Sequence, residues 1–207
     1  MSITFYYSPQ SNATRIHWAL EELGVPHETV TLDLRAGDQR KPEFLALNPN
    51  GKVPTLVLDG TPMFESVAIQ IALGERHGVA RGLWPQLGSS EHLQALTWLV
   101  WGQVTLAGAV FKYMQNTNDY FPKDQQNARV AEVTREEIGG LLKILDDRLA
   151  DRAYLTGPAF TLADLDLTSV LGWGLEFGKL DASPYRNLQA WLGRCTGRPA
   201  FARSMKG

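Results

Sequence analysis

One stretch of this chain, residues 48–69 (NPNGKVPTLVLDGTPMFESVAI), has residue types spaced for molecular recognition. Pro54 stands directly ahead of an apolar run, Thr55 to Leu58, that reads as a strand. A proline at a strand entrance cannot donate to the ladder, so the backbone of Val53 is left for another partner. A cis Val53-Pro54 bond would make the turn tight. Asp59-Gly60 is a strong two-residue hairpin signal, and Met63-Phe64 begins the return strand. Glu65-Ser66 then falls where a helix opens, offering a carboxylate, a hydroxyl and backbone donors to an anion. An open backbone edge and an anion site one hairpin apart suit a short peptide with a free carboxylate.

The elements that must position these residues can be read on either side. Ile3 to Tyr7 is a β-branched and aromatic run, a good first strand. Ser11 or Asn12 can cap a helix that Gly24 closes, with Ile16, Ala19, Leu20 and Leu23 on one face. Residues 27–32 alternate as a strand, completing a βαβ unit. Pro42 can open a short helix through Leu47, and a helix from Ser66 to about His77 comes after the hairpin. Residues 78–88 carry three glycines and a proline and mark a boundary.

Beyond that boundary the pattern is helical. Residues 90–115 are amphipathic, with Leu93, Leu96, Val100, Val104 and Phe111 near one stripe. A second long helix is expected over 124–149 and another over 185–196, stopped by Gly197-Arg198-Pro199. Between them, Thr161 and Asp164 form a capping-box pattern. The expected architecture is α/β plus all-α: a βαβ-α-ββα domain over 1–78, a linker over 79–88, and a helical-bundle domain over 89–207.

The totals exclude several classes. Net charge is −2, with no footprint for nucleic acid. The first ten residues lack a basic region followed by an apolar core, which argues against a signal peptide. No uninterrupted apolar run approaches the ~20 residues that span a bilayer. Cys195 is the single cysteine and the four histidines lack ligand spacing. A soluble, cytoplasmic protein without a metal is expected.

Four segments, SPQSNATRIHWALEELG, FLALNPNGKVPTL, FESVAI and LTGPAFTLADL, occur together in an order and spacing that resemble the cytosolic glutathione transferases. The likeness covers essentially the whole chain. It implies a thioredoxin-like first domain, glutathione as co-substrate, a small electrophile as second substrate, and a homodimer. A free thiol of pKa about 8.5 is only a few per cent ionised near neutrality. A drop of about 2 units would make most of it nucleophilic thiolate. A hydroxyl donor and a helix N-terminus together can supply this.

By the resemblance, Ser11 falls where serine-type members keep the hydroxyl that faces the glutathione sulfur. Asn12 falls where another bacterial class carries a cysteine, and Tyr6 near the tyrosine of the animal tyrosine-type classes. Ser11 equally reads as a plain N-cap, and Tyr6 as a residue packed in the sheet. The same resemblance gives Val53, with cis Pro54, to the cysteinyl backbone. It gives Glu65 and Ser66 to the γ-glutamyl end and Lys52 to the glycyl carboxylate, with Arg40 or Lys41 beside it. Glu65-Ser66 also reads as an ordinary helix start. Gln103, Phe111, Tyr113, Trp173 and Phe177 are candidates for an apolar acceptor pocket.

The leading function is transfer of glutathione to an electrophilic carbon. Peroxide reduction by the same thiolate is an alternative, and a non-catalytic ligand- or protein-binding module is another. Thiol–disulfide exchange by a protein cysteine has no residue to carry it at the first helix start.

Overall fold

The computed structural model describes residues 2–205. They fall into two compact units, residues 2–87 with 197–205, and residues 88–196. The first unit thus takes in residues 79–87 of the segment expected as a linker, and also residues 197–205.

The first unit is a four-stranded mixed sheet carrying helices. Strands β1 (Ile3–Tyr7), β2 (Glu28–Thr31), β3 (Thr55–Leu58) and β4 (Thr61–Phe64) lie in the order β2-β1-β3-β4. β1 pairs parallel with β2, through the connecting helix α1 (Thr14–Leu23), and antiparallel with β3. Strand alternation gives β1 one face of Ile3, Phe5 and Tyr7, all buried, and another with Thr4 and Tyr6. Ile16, Ala19, Leu20 and Leu23 bury the predicted stripe of α1, and Gly24 ends it in a left-handed cap. The short α2 (Pro42–Leu45) comes after β2, and α3 (Ser66–Leu73) after β4. The helix expected to reach His77 changes to a π-helical turn at Gly74–Gly78. A Cβ on Gly74 would stand 2.5 Å from the Trp84 ring, so the glycine seats a fully buried tryptophan.

Pro199 does more than stop the preceding helix. It occupies the first turn of a further helix, α9 (Pro199–Ser204), where its missing N–H costs nothing. α9 packs on α1: Phe201 meets Trp18 edge-on at 4.8 Å, and Arg198 forks onto Glu22 at 2.6 and 2.7 Å. His17 Nδ1 lies 3.1 Å from the Ser204 carbonyl oxygen. Burial pulls the His17 pKa below its ordinary 6.5, although Glu21 opposes the shift. The unfolded chain therefore takes up this proton first, and the contribution present above about pH 6.5 is lost as pH falls. A His17→Gln variant should lose less thermal stability than the parent between pH 7 and pH 5. Equal losses would remove His17 as the group responsible.

The second unit is helical: α4 (Ser90–Trp101), a π-helical turn at Gly102–Leu106, α5 (Ala107–Gln115), α6 (Ala128–Arg148), α7 (Leu162–Glu176) and α8 (Arg186–Thr196). Ser89 and Asn127 cap α4 and α6, and Thr161 with Asp164 closes the predicted capping box on α7. α7 is buried on nearly every side, so it serves as the core helix of the unit. Cys195 is fully buried among these helices.

The run Ser90–Gln115 is one continuous helical stretch of 26 residues. An 18-residue window within it reaches a mean hydropathy of 1.2, enough by length and composition alone to cross a bilayer, a test that a core helix passes equally. The predicted stripe of this run does not face the core. Ala95, Leu99, Leu106 and Val110 are buried, while Leu93, Val100, Val104 and Phe111 are exposed. The helix has two apolar faces, and only one is used inside the chain.

Candidate functional site

Sheet register brings three separate segments to one place. Tyr6 pairs with Thr55 in β1–β3, and Thr55 pairs with Phe64 in β3–β4. The end of β1, the start of β3 and the end of β4 therefore lie side by side. The turn into α1, the Val53-Pro54 peptide and Glu65-Ser66 adjoin those three strand ends in the chain. None of these is close to the others in sequence except through the hairpin.

The Val53-Pro54 bond is cis. Val53 is half-buried and stands outside the β3–β4 ladder, whose first pair is Thr55 with Phe64. The loop before it is held from within by side chains whose part the sequence alone does not show. Asn48, 2% exposed, donates through Nδ2 to the Lys52 carbonyl at 2.8 Å and to Thr55 Oγ1 at 3.0 Å. Thr55 Oγ1 donates to the same carbonyl at 3.1 Å. Gly51 has φ +58°, and a Cβ there would meet the Gln39 carbonyl oxygen at 2.9 Å and Arg40 Nη1 at 3.1 Å. The Asn-Pro-Asn-Gly run is the one hint of this loop, as a turn that polar side chains can fasten.

The same contact puts the Arg40 guanidinium against Gly51, one residue from the exposed Lys52. Lys41 is engaged elsewhere, 2.7 Å from Asp38. That contact holds the Asp38 carboxyl below its ordinary range and raises the Lys41 ammonium. Lys52 and Arg40 are thus the cations best placed at this loop.

Glu65 sits at φ +68°, ψ 115°, ahead of the first turn of α3. A side-chain-bearing residue in that region is strained, and such strain concentrates at ligand clamps. Glu65 is exposed and Ser66 half-buried, so both side chains remain available to a ligand at the positive end of α3.

At the start of α1 the structure departs from the expected cap. The helix begins at Thr14, and its N-cap position is Ala13, with no side-chain cap. Ser11 instead closes a local turn, donating its hydroxyl proton to the Ser8 carbonyl at 2.6 Å and accepting from the Ala13 N–H at 3.2 Å. Asn12 is exposed and accepts through Oδ1 from Arg15 Nη2 at 3.2 Å. Tyr6 lies apart from this group. Its ring meets Phe44 edge-on at 5.7 Å in a cavity of about 240 Å³ formed with Val30, Leu32, Lys41 and Leu47.

The proposed acceptor residues separate. Phe111 and Trp173 stack at 6.3 Å, joined by Phe121 at 5.8 Å, a residue absent from the expected set. Gln103 spends its amide on buried Asp166, donating at 2.8 Å. Tyr113, two residues beyond Phe111 on α5, points about 200° around the helix from it. Phe177 is exposed, and its carbonyl accepts from Asn118. Among the described residues, no group of three His, Cys, Asp or Glu side chains is placed to hold a metal ion.

Comparison with known proteins bears on the whole chain. Residues 9–76 match the family model described as Glutathione S-transferase, N-terminal domain, and residues 113–199 match Glutathione S-transferase, C-terminal domain. The chain is 32% identical to Glutathione S-transferase 2 of Schizosaccharomyces pombe, over 82% of this chain and 72% of that one. It is 29% identical to Disulfide-bond oxidoreductase YfcG of Escherichia coli, over 98% and 94%. Among solved structures it resembles a sphingomonad glutathione S-transferase complexed with glutathione. That match has a TM-score of 0.83 and 30% identity, covering 98% of this chain and 97% of that one.

Proposed function

The chain belongs to the glutathione S-transferase family, and from that premise we propose that it ionises bound glutathione for attack on small electrophiles. The observation that supports this reading is the register that sets the ends of β1, β3 and β4 side by side, next in the chain to the turn into α1, to Val53-Pro54 and to Glu65-Ser66. Val53 would pair with the cysteinyl backbone. Glu65 would meet the γ-glutamyl ammonium and Ser66 its carboxylate, with Lys52 and Arg40 at the glycyl end. The thiol would then lie by Ser11 and Asn12. Since Ser11 has committed its proton to Ser8, Asn12 is our choice of donor to the sulfur.

Glutathione brings the nucleophile, so the protein's task is to ionise and position it. The S–H proton leaves to solvent, the sulfur keeps the electron pair, a C–S bond forms, and the leaving group departs with its electrons. Phe111 and Trp173 are the candidates for apolar acceptor contact. The likeness to a disulfide-bond oxidoreductase favours a second reading, in which the same thiolate attacks a disulfide sulfur and expels the other as thiolate. Turnover of an activated aryl halide and of a small disulfide, each with glutathione, tests both. Retention on immobilised glutathione with neither turnover would make the protein a binding module.

We also assign the exposed face of Leu93, Val100 and Val104 to a homodimer contact. An aspartate at Val100 would be desolvated there without a partner, weakening association about a hundredfold, or about 2.7 kcal/mol. Sedimentation velocity should show Val100→Asp as monomer where the parent is dimer. An unchanged profile would move the contact elsewhere.

A further inference from the structure

Arg15 departs from two rules of its surroundings. It lies in the first turn of α1, which holds no acidic residue and already carries the positive end of the helix dipole. It is also 6% exposed, although a guanidinium cannot lose its charge and burying one is costly. Its guanidinium donates from Nη2 to Asn12 Oδ1 at 3.2 Å.

A side-chain amide presents an acceptor oxygen on one side and an NH2 donor on the other. Arg15 has only donors to offer, so it fixes which way Asn12 faces. The oxygen turns to the guanidinium, and Nδ2 with its two hydrogens turns away. Resting on the glutathione reading above, we propose that Arg15 is a positioning residue that orients the Asn12 amide so that Nδ2–H donates to the glutathione sulfur. Without Arg15 the amide is free to flip and present its oxygen to the thiolate, which repels it. The effect falls on the ionised sulfur. When the S–H bond breaks, the proton goes to solvent, the sulfur retains the pair, and the Asn12 N–H meets it. Binding of a glutathione with no ionisable thiol should be indifferent to which way the amide points.

The test uses Asn12→Ala, Arg15→Met, Arg15→Lys and the double variant Asn12→Ala/Arg15→Met, each checked for its fold by circular dichroism. Ultraviolet thiolate absorbance gives the ionisation midpoint of bound glutathione, and S-methylglutathione gives affinity without a thiol. Asn12→Ala and Arg15→Met should each raise the midpoint by about one pH unit, from about 6.5 to about 7.5, a roughly threefold loss of thiolate at neutrality. S-methylglutathione affinity should stay within about threefold, and the double variant should titrate like Asn12→Ala alone, since the two act through one contact. Arg15→Lys, which keeps the charge and a single donor, should fall between the parent and Arg15→Met. An unmoved midpoint in Asn12→Ala overturns the proposal even if Arg15→Met fails to fold, and an additive double variant overturns it as well. Failure of the parent protein to bind S-methylglutathione would instead overturn the glutathione reading itself.

Discussion

Asp164→Ala should cost about 3–5 kcal/mol of stability, the sum expected when several buried donors lose their acceptor, and lower Tm by about 10 °C. The carboxylate is fully buried and accepts from four donors. Oδ1 takes the Leu155 N–H and the Trp191 Nε1–H, each at 2.8 Å. Oδ2 takes the Thr161 N–H at 2.9 Å and the Thr161 hydroxyl at 3.0 Å. One side chain therefore ties the segment before α7, the first turn of α7 and α8. Burial raises its carboxyl pKa against the pull of these donors. Asp164→Asn keeps the shape but aims an NH2 at two of the donors, so an intermediate loss is expected. A Tm change under about 2 °C for the alanine variant would show that the network contributes little, since one kcal/mol moves Tm by about that much or more.

The second large effect concerns ligand affinity. Ser66→Ala and Glu65→Ala should each weaken glutathione binding about 10- to 100-fold. Each removes a charge-assisted hydrogen bond, worth about 1.5–3 kcal/mol. Turnover at saturating glutathione should change far less, because both residues lie at the γ-glutamyl end and away from the sulfur. Calorimetric titration measures the first quantity and steady-state kinetics the second. Affinities within about threefold of the parent would remove the pair from the site. Lys52→Ala should cost less, since the Lys52 ammonium is exposed and screened.

The parts of this site that were legible in the sequence are those governed by local chemistry. Asp59-Gly60 marked the hairpin, Pro54 marked the strand entrance, and the Thr161–Asp164 spacing marked a helix start. Each depends on a few neighbouring residues, and each is found where its pattern fell. Ser11 was harder, because a serine ahead of a helix can cap it or close a turn one step earlier. The choice depends on where the chain leaves β1, and the hydroxyl goes to Ser8.

Features that depend on two faces or on distant partners were not legible. Alternation along β1 separates Tyr6 from Tyr7, but only the packing of Phe44 shows which face Tyr6 joins. The run Ser90–Gln115 has apolar residues on two faces, and periodicity alone selected the exposed one. Gln103 read as a pocket residue because its partner, Asp166, is 63 positions away. Arg15 and Asn48 lie inside segments that the sequence singles out, but no role for either side chain can be read there. Their significance appears only once burial and hydrogen bonding are known.

Ionisation of the glutathione thiol by the protein is the central claim. The most direct measurement is a pH titration of thiolate absorbance for glutathione bound to the protein, against free glutathione. The predicted midpoint lies about 2 units below the free value of about 8.5. A bound thiol that titrates where the free one does would contradict the claim.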